Sequence, residues 1–289
     1  MKHFRNECAL NYGANVIHRT VFFVSDQTGI TAETMGHSLM TQFDGFEFRQ
    51  VTVPFISTVD KAIEAVRKID LVGKQEGIRP IVFSTLVQED VRNVVRGSTG
   101  FFLDFFDAFL APLENELKTQ SSHLTSRTHR MADTHAYATR IDATNFALAN
   151  DDGSVVRDYE RADVILIGVS RSGKTPTCLY LAMQFGIFAA NYPLTEDDLE
   201  SRKLPAALEH FSQKLFGLTI KPDRLQQIRN ERRPDSRYSS PRQVAFEVRA
   251  AESLFERNGV PCIDATECSI EEISSRILDR TGIERRLRP

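Results

Sequence analysis

Apolar and polar positions along the 289-residue chain alternate between two rhythms. Short apolar runs, Val21 to Val24, Phe46 to Val53 and Pro80 to Ser84, have the length and β-branched or aromatic content of strands. Between them lie segments with helical spacing, from about Thr31 to Phe43 and from Val59 to Leu71. The second is the clearer, because Ala62, Ile63, Ala65, Val66 and Ile69 recur at the helical period. Ser57 or Thr58 can cap it, and Gly73 and Gly77 punctuate its end. Strands separated by single helices cannot pair through tight turns, so this half predicts a parallel sheet in an α/β domain.

Phe101, Phe102, Phe105, Phe106 and Phe109 fall on one broad face if Phe101 to Leu117 is helical, which predicts a core or interdomain helix. Residues 118 to 135 turn polar and read as a looser joining segment. Its histidines, His123, His129 and His135, lie six apart and do not share a helical face well, so they predict solvated side chains rather than a metal site. Asn150 to Gly153 is a turn signal. The second half resumes the alternation. Strands are expected at Val164 to Ile167, Ile187 to Tyr192, Phe216 to Ile220 and Gly259 to Thr266. Helices are expected at Pro176 to Gln184, at Thr195 to Leu208 behind a capping-box-like start, and from Ser269 through Leu278.

The strand at Val164 runs into Gly168-Val169-Ser170-Arg171-Ser172-Gly173-Lys174-Thr175, which satisfies the phosphate-binding pattern G-x-x-x-x-G-K-S/T in strand, loop, helix context. Glycines let a backbone curl so that its N–H groups point inward at a polyphosphate. Lys174 supplies a cation for the transferred phosphate, and the Thr175 hydroxyl is a magnesium ligand. The expected organisation is therefore α/β throughout: a loosely held tail over 1–18, an N-terminal α/β domain with a parallel sheet over 19–118, a helical or linker segment over 119–153, and a C-terminal P-loop kinase-like α/β domain over 154–283.

Composition narrows the setting. A hydrophobic fraction of 41%, a charged fraction of 26% and a net charge of -3 are those of a globular protein with no general pull toward nucleic acid or membrane. No apolar run is long enough to span a bilayer and the N-terminus lacks an apolar signal core, so a cytoplasmic address is expected. Cys8, Cys178, Cys262 and Cys268 contain no C-x-x-C pair, which predicts reduced thiols.

Two further segments carry candidate chemistry. Arg224, Arg229, Arg232 and Arg233 cluster in a charged stretch, and guanidinium groups that close over developing charge promote phosphoryl transfer. A mobile arginine-bearing lid is one reading; a solvated helix partly neutralised by Glu231 and Asp235 is the other. Acidic residues interleave Arg224 to Arg242, against nucleic-acid binding. The second segment, Ser25 to Glu33, again pairs a strand end with a glycine-containing loop and a helix start. Asp26 lies where α/β ligand crevices open and suits a base or a magnesium-side carboxylate, although a plain capped turn has the same pattern. No strand ends in a clear Walker B acid: Asp163 precedes its strand and Asp264 ends a late one, so the magnesium-side carboxylate is left unassigned.

Three blocks in order, Val24-Ser25-Asp26-x-Thr28-Gly29-Ile30-Thr31-Ala32-Glu33, Arg140-Ile141-x-Ala143-x-Asn145-Phe146-Ala147-Leu148 with Asp151-Asp152-Gly153, and Gly168 to Thr175 continuing through Ala182, resemble the pyruvate,phosphate dikinase and phosphoenolpyruvate synthase regulatory protein family. The resemblance spans about residue 19 to residue 283. It implies a bifunctional enzyme that uses ADP to phosphorylate, and so inactivate, a target at a threonine. It also implies removal of that group by inorganic phosphate, with release of pyrophosphate. Gly168 to Thr175 would hold ADP. The loop form Ser170 to Thr177 is similar to the branch acting on phosphoenolpyruvate synthase, which makes that enzyme the implied partner, with pyruvate,phosphate dikinase the alternative. Asn150 departs from the family pattern, which has histidine there. An ATP-dependent small-molecule kinase and a nucleotide-sensing regulator without transfer are the competing readings of the same loop, and a homo-oligomer is left open.

Overall fold

The computed structural model describes residues 17–122, 134–153 and 156–287. Of the tail expected over 1–18, residues 1–16 lie outside them, as do His123 and His129, while Ile17 and His18 begin the first strand. The chain divides into two compact units, one within 1–130 and the other within 131–289.

The first unit runs β1 (Ile17–Val24), α1 (Ile30–Met40), β2 (Phe46–Val53), α2 (Val59–Glu76), β3 (Ile81–Ser84), α3 (Glu89–Arg96), β4 (Phe101–Asp104) and α4 (Phe105–Leu117). Its four strands form one sheet in the order β2-β1-β3-β4, every pairing parallel, as the alternation predicts. Thr58 caps α2, its hydroxyl accepting from the Lys61 N–H. That helix passes the expected stop at Gly73 and ends at Gly77, where φ is 66°. One correction concerns the aromatic stretch: Phe101 to Asp104 is a strand, and the helix starts only at Phe105. Asp104 sets that boundary, because its carboxylate accepts from the Phe106 and Asp107 N–H groups and caps the new helix. The short helix α3 was not anticipated.

Two apolar layers flank this sheet. Phe22, Val24 and Val82 pack against Ala62, Ala65 and Ile69 of α2 and Val91 and Val95 of α3. On the other face, Val21, Phe23 and Phe83 meet Ala32 and Met40 of α1 and Phe105 of α4, with the Phe83 and Phe105 rings stacked at 5.2 Å. Gly36 lets α1 approach that closely, since a Cβ there would collide with the Phe23 ring and come within 2.8 Å of Phe83 Cδ2.

The second unit contains α5 (Thr134–Ala149), β5 (Val164–Gly168), α6 (Lys174–Phe185), β6 (Ala189–Pro193), α7 (Glu196–Ser201), β7 (Leu215–Thr219), α8 (Pro222–Arg232), α9 (Pro241–Arg257), β8 (Cys262–Asp264) and α10 (Ile270–Thr281). Helix α5 falls in the stretch read as a joining segment, yet it belongs to this unit: Ala143 and Ala147 are buried with Leu181 and Phe185 of α6. Helix α7 ends earlier than expected, at Arg202 with φ 56°, and a 3-10 stretch occupies Ala206–Lys214. The sheet order is β6-β5-β7-β8, again wholly parallel. Strand β5 is buried at every position, with Ile165 and Ile167 facing one core and Val164 and Leu166 the other. The chain leaves β5 for β6 on one side and reaches β7 on the other, so the carboxyl end of β5 opens at the switch point where α/β proteins bind ligands. No helix among the described residues is long and apolar enough to cross a membrane.

The tight approach at Gly36 sets an expectation. Alanine there gains about 1 kcal/mol of helix propensity but overpacks a stacked aromatic core, which costs about 1–3 kcal/mol. Gly36→Ala is expected to lower stability in urea-unfolding measurements; an unchanged or raised midpoint would show that the Phe23 and Phe83 rings yield freely.

Candidate functional site

The loop after β5 curls because three of its residues have positive φ: Gly168 at 156°, Arg171 at 76° and Gly173 at 92°. At Gly168 the requirement is also steric, since a Cβ would collide with the Leu218 carbonyl oxygen of β7. Gly173 is the N-cap of α6, so the loop delivers the chain into that helix with its first N–H groups unclaimed by helix bonds. Successive backbone N–H groups in such a curl make an anion-binding concavity, reinforced by the positive end of the helix. Ser172, at 2% exposure, turns a hydroxyl into the loop that has no hydrogen-bond partner among the described residues. An unpaired buried hydroxyl is costly, and a phosphate oxygen would satisfy it.

Lys174 is buried at 5% exposure, and its Nζ donates to the Val169 carbonyl at 2.9 Å, across the loop's own mouth. Burial pushes its pKa down to about 8. The carboxylates of Asp151 and Asp152 oppose that shift and the Arg229 guanidinium adds to it. The ammonium is thus held where a polyphosphate would sit, with little solvent to screen it.

Thr175 finds a partner that the sequence reading did not name. Its hydroxyl donates to Asp151 Oδ1 at 2.9 Å and accepts from Asn191 Nδ2 at 3.1 Å, while Asn191 Nδ2 also donates to Asp151 Oδ1. Asp151 reaches this point from the turn after α5, which is bonded to β6 through Asn191 N–H to the Asn150 carbonyl at 3.0 Å and Gly153 N–H to the Asn191 carbonyl at 3.1 Å. The Asp-Asp-Gly turn, part of the second block of the resemblance, was the available signal, but nothing in its sequence pairs its carboxylate with Thr175. A hydroxyl beside a carboxylate is an oxygen donor set that fits magnesium. Among the described residues no group of three or more His, Cys, Asp or Glu could hold a metal. Asp163 and Asp264 serve elsewhere: Asp163 accepts from the Phe188 N–H at 2.8 Å and pairs with Arg286, and Asp264 accepts from the Thr266 N–H at 2.9 Å.

The arginine cluster divides. Arg229 is fully buried on α8, so it is no part of a mobile lid. Its Nη2 donates to the Ser170 carbonyl at 3.0 Å and to Glu247 Oε2 at 2.7 Å, its Nη1 donates to the Tyr238 carbonyl at 3.1 Å, and the Tyr238 ring stacks on it at 4.2 Å. The Tyr238 hydroxyl in turn meets Ser170 Oγ at 2.9 Å. Arg229 and Tyr238 therefore grip the loop at Ser170 from behind. Arg224, Arg232 and Arg233 are exposed, and Arg224 bonds Gln227.

In the first unit, Asp26 follows β1 at the corresponding switch point between β1 and β3. It is 7% exposed, and Oδ2 has no hydrogen-bond partner among the described residues. Burial raises its pKa, while the N–H groups of Asp26 and Val87 pull the other way. That environment suits a carboxyl group taking a proton or a hydroxyl.

A parallel α/β unit with a buried lysine in a curled, glycine-bounded loop at its switch point defines a phosphate-handling protein of the kinase class. The profile of the kinase/pyrophosphorylase family matches residues 21–278, and the chain belongs to that family, which makes it a phosphotransferase. Relatives from Alcanivorax borkumensis, from Pseudomonas putida strain W619 and from Pseudomonas fluorescens strain SBW25 are each 55% identical to it over 93% of the chain and 99% of their own length. All three bear the name "Putative phosphoenolpyruvate synthase regulatory protein".

The grip on Ser170 yields a test. Arg229→Ala would leave Glu247 and two carbonyls without their buried cation, and removing one partner of such a pair costs about 3–5 kcal/mol. A large drop in unfolding free energy is expected in urea titrations. Unchanged stability would return Arg229 to the role of a free, ligand-facing group.

Proposed function

We propose that this protein transfers the β-phosphate of ADP to a threonine of phosphoenolpyruvate synthase, inactivating it, and returns it to activity by phosphate-dependent removal of that group. In the forward direction the threonine oxygen forms a bond to phosphorus as the bridge to AMP breaks, and the hydroxyl proton is released. In the return direction inorganic phosphate attacks the phosphothreonine, giving pyrophosphate and the free hydroxyl. The observation that carries the reading is the loop Gly168 to Thr175, with Lys174 buried inside it. Both directions require one cradle that accepts a terminal phosphate, and a curl of backbone N–H groups is indifferent to what the phosphate is attached to. The names of the relatives support the choice of phosphoenolpyruvate synthase as the protein acted on.

In this reading the loop N–H groups other than that of Ser172, which donates to the Val169 carbonyl at 3.3 Å, bind the phosphate oxygens with the Ser172 hydroxyl, and the Lys174 ammonium exchanges the Val169 carbonyl for phosphate. Thr175 and Asp151 would hold a magnesium ion, which would neutralise phosphate charge when bound. Arg232 and Arg233 close over the developing charge. The work is done in the cytoplasm.

ADP labelled at the β-phosphate, incubated with purified phosphoenolpyruvate synthase, is expected to label a threonine of that enzyme. Label in inorganic phosphate or a small metabolite alone would end the proposal. Lys174→Met is expected to abolish transfer.

Protonation gives an independent check. Lys174 must be charged to bind the phosphate, and its pKa of about 8 in the free protein is raised when an anion binds. Affinity for ADP is therefore fully present below that pKa and falls about tenfold per pH unit above it. Calorimetric titrations from about pH 7 to about pH 9.5 should show this fall. An affinity flat across that range would place the ammonium's pKa well above the range.

A further inference from the structure

Helices α7 and α9 enclose a groove of about 500 Å3 on the second unit, separate from the residues of the phosphate loop. Its floor is apolar: Leu199 and Leu254 are buried, and Phe246 presents its ring at 37% exposure. Its walls carry Arg202 at the end of α7 and Arg249 and Arg257 on α9, all exposed. Among the described residues, none of these three guanidinium groups makes an ion pair or a side-chain hydrogen bond. Glu200 is the single acid in the lining. The chain as a whole carries a net charge of -3, so three arginines against one acid around an apolar floor is a local reversal of its overall sign.

We propose that this groove docks an acidic, extended segment of the protein substrate, with an apolar side chain seated against Phe246 and Leu254. The inference rests on the reading above that the phosphate acceptor is a protein. Arg249 and Arg257 are eight positions apart on the helix, a span of about 12 Å at the helical rise. One phosphate group cannot bridge that distance. An extended peptide covers it with roughly four residues, enough to place two carboxylates and one inward side chain, because alternate residues face opposite ways. The apolar floor further favours a peptide over a polyphosphate. Helix α9 also connects the groove to the loop: Glu247, one residue after Phe246, holds Arg229, and Arg229 holds Ser170. A segment bound there lies on the same rigid helix that positions the phosphate cradle.

The test uses the full chain and two probes. One is a fluorescein-labelled peptide in which glutamates flank a phenylalanine, with a lysine-for-glutamate peptide as control; the other is purified phosphoenolpyruvate synthase. Wild-type protein should bind the acidic peptide and the synthase, lose affinity as salt is raised, and ignore the lysine peptide. Arg249→Glu/Arg257→Glu should weaken both interactions at least about tenfold, raising KM for the synthase while KM for ADP and kcat stay unchanged. Arg249→Lys/Arg257→Lys should retain most of the binding, and unchanged thermal unfolding of all variants would exclude loss of fold. Equal binding by wild type and the charge-reversed variant overturns the inference. So does failure of the wild type to bind either acidic partner, or its preference for an oligonucleotide. If the synthase binds and the charge-reversed variant loses it, but no phosphate is transferred, the groove stands and the kinase reading falls.

Discussion

The fully buried Arg229 is the interaction on which the phosphate loop depends. A loop with Arg171 in the left-handed region carries a conformational cost of about 1–3 kcal/mol, because a side chain there crowds its own carbonyl. Left alone, such a segment relaxes. It is held because its Ser170 carbonyl accepts from a guanidinium that has no solvent to turn to, so relaxing the loop would strip a buried cation of a partner. A hydrogen bond to a charged group contributes about 1.5–3 kcal/mol, enough to offset strain of that size. Glu247 and the Tyr238 ring complete the enclosure, so the curl is fixed by α8, by α9 and by the short turn between them.

The two units repeat one plan with opposite charges. Each has four parallel strands, with the first strand central and flanked by the second and third, and each opens a helix after that first strand at a glycine N-cap, Gly29 with φ 86° and Gly173 with φ 92°. What differs is the side chain sunk beside the cap. In the second unit it is Lys174, destabilised as a cation by burial; in the first it is Asp26, destabilised as an anion by the same cause. Desolvation moves both groups toward neutrality: for the carboxyl group that is the direction of taking a proton, and for the lysine it is a cost to the ammonium that a bound anion relieves.

Much of this was legible in the sequence where local chemistry and tertiary packing agree. The loop Gly168 to Thr175 carries its own conformational instructions in its glycines, and α2 repeats its apolar spacing over enough turns to be unambiguous. The failures have physical causes. Phe101 to Asp104 shares aromatic content with the helix behind it, and only the cap formed by Asp104 divides them. Helix α3 has eight residues, too few for periodicity to speak. Arg229 and its neighbours Arg232 and Arg233 share one charged stretch in the sequence, but only Arg229 points inward, and that depends on Glu247 eighteen residues further on. Asp151 is not legible as the partner of Thr175 because a carboxylate near such a loop is expected at a strand end, whereas this one comes from a turn docked sideways onto β6.

That docking has a chemical consequence beyond placing a carboxylate. The Thr175 hydroxyl spends its proton on Asp151 and accepts one bond from Asn191, which leaves one of its two lone pairs for a further partner. Because the proton is already committed to an anion, electron density on that oxygen is raised, and the remaining lone pair is a better donor to a hard cation than an isolated alcohol would be. Asn191 lies on β6, whose backbone is locked to β5 in parallel register, Leu166 opposite Asn191. The orientation of the hydroxyl is thus set by the sheet rather than by the loop. Strand register, turn and loop converge on one oxygen atom.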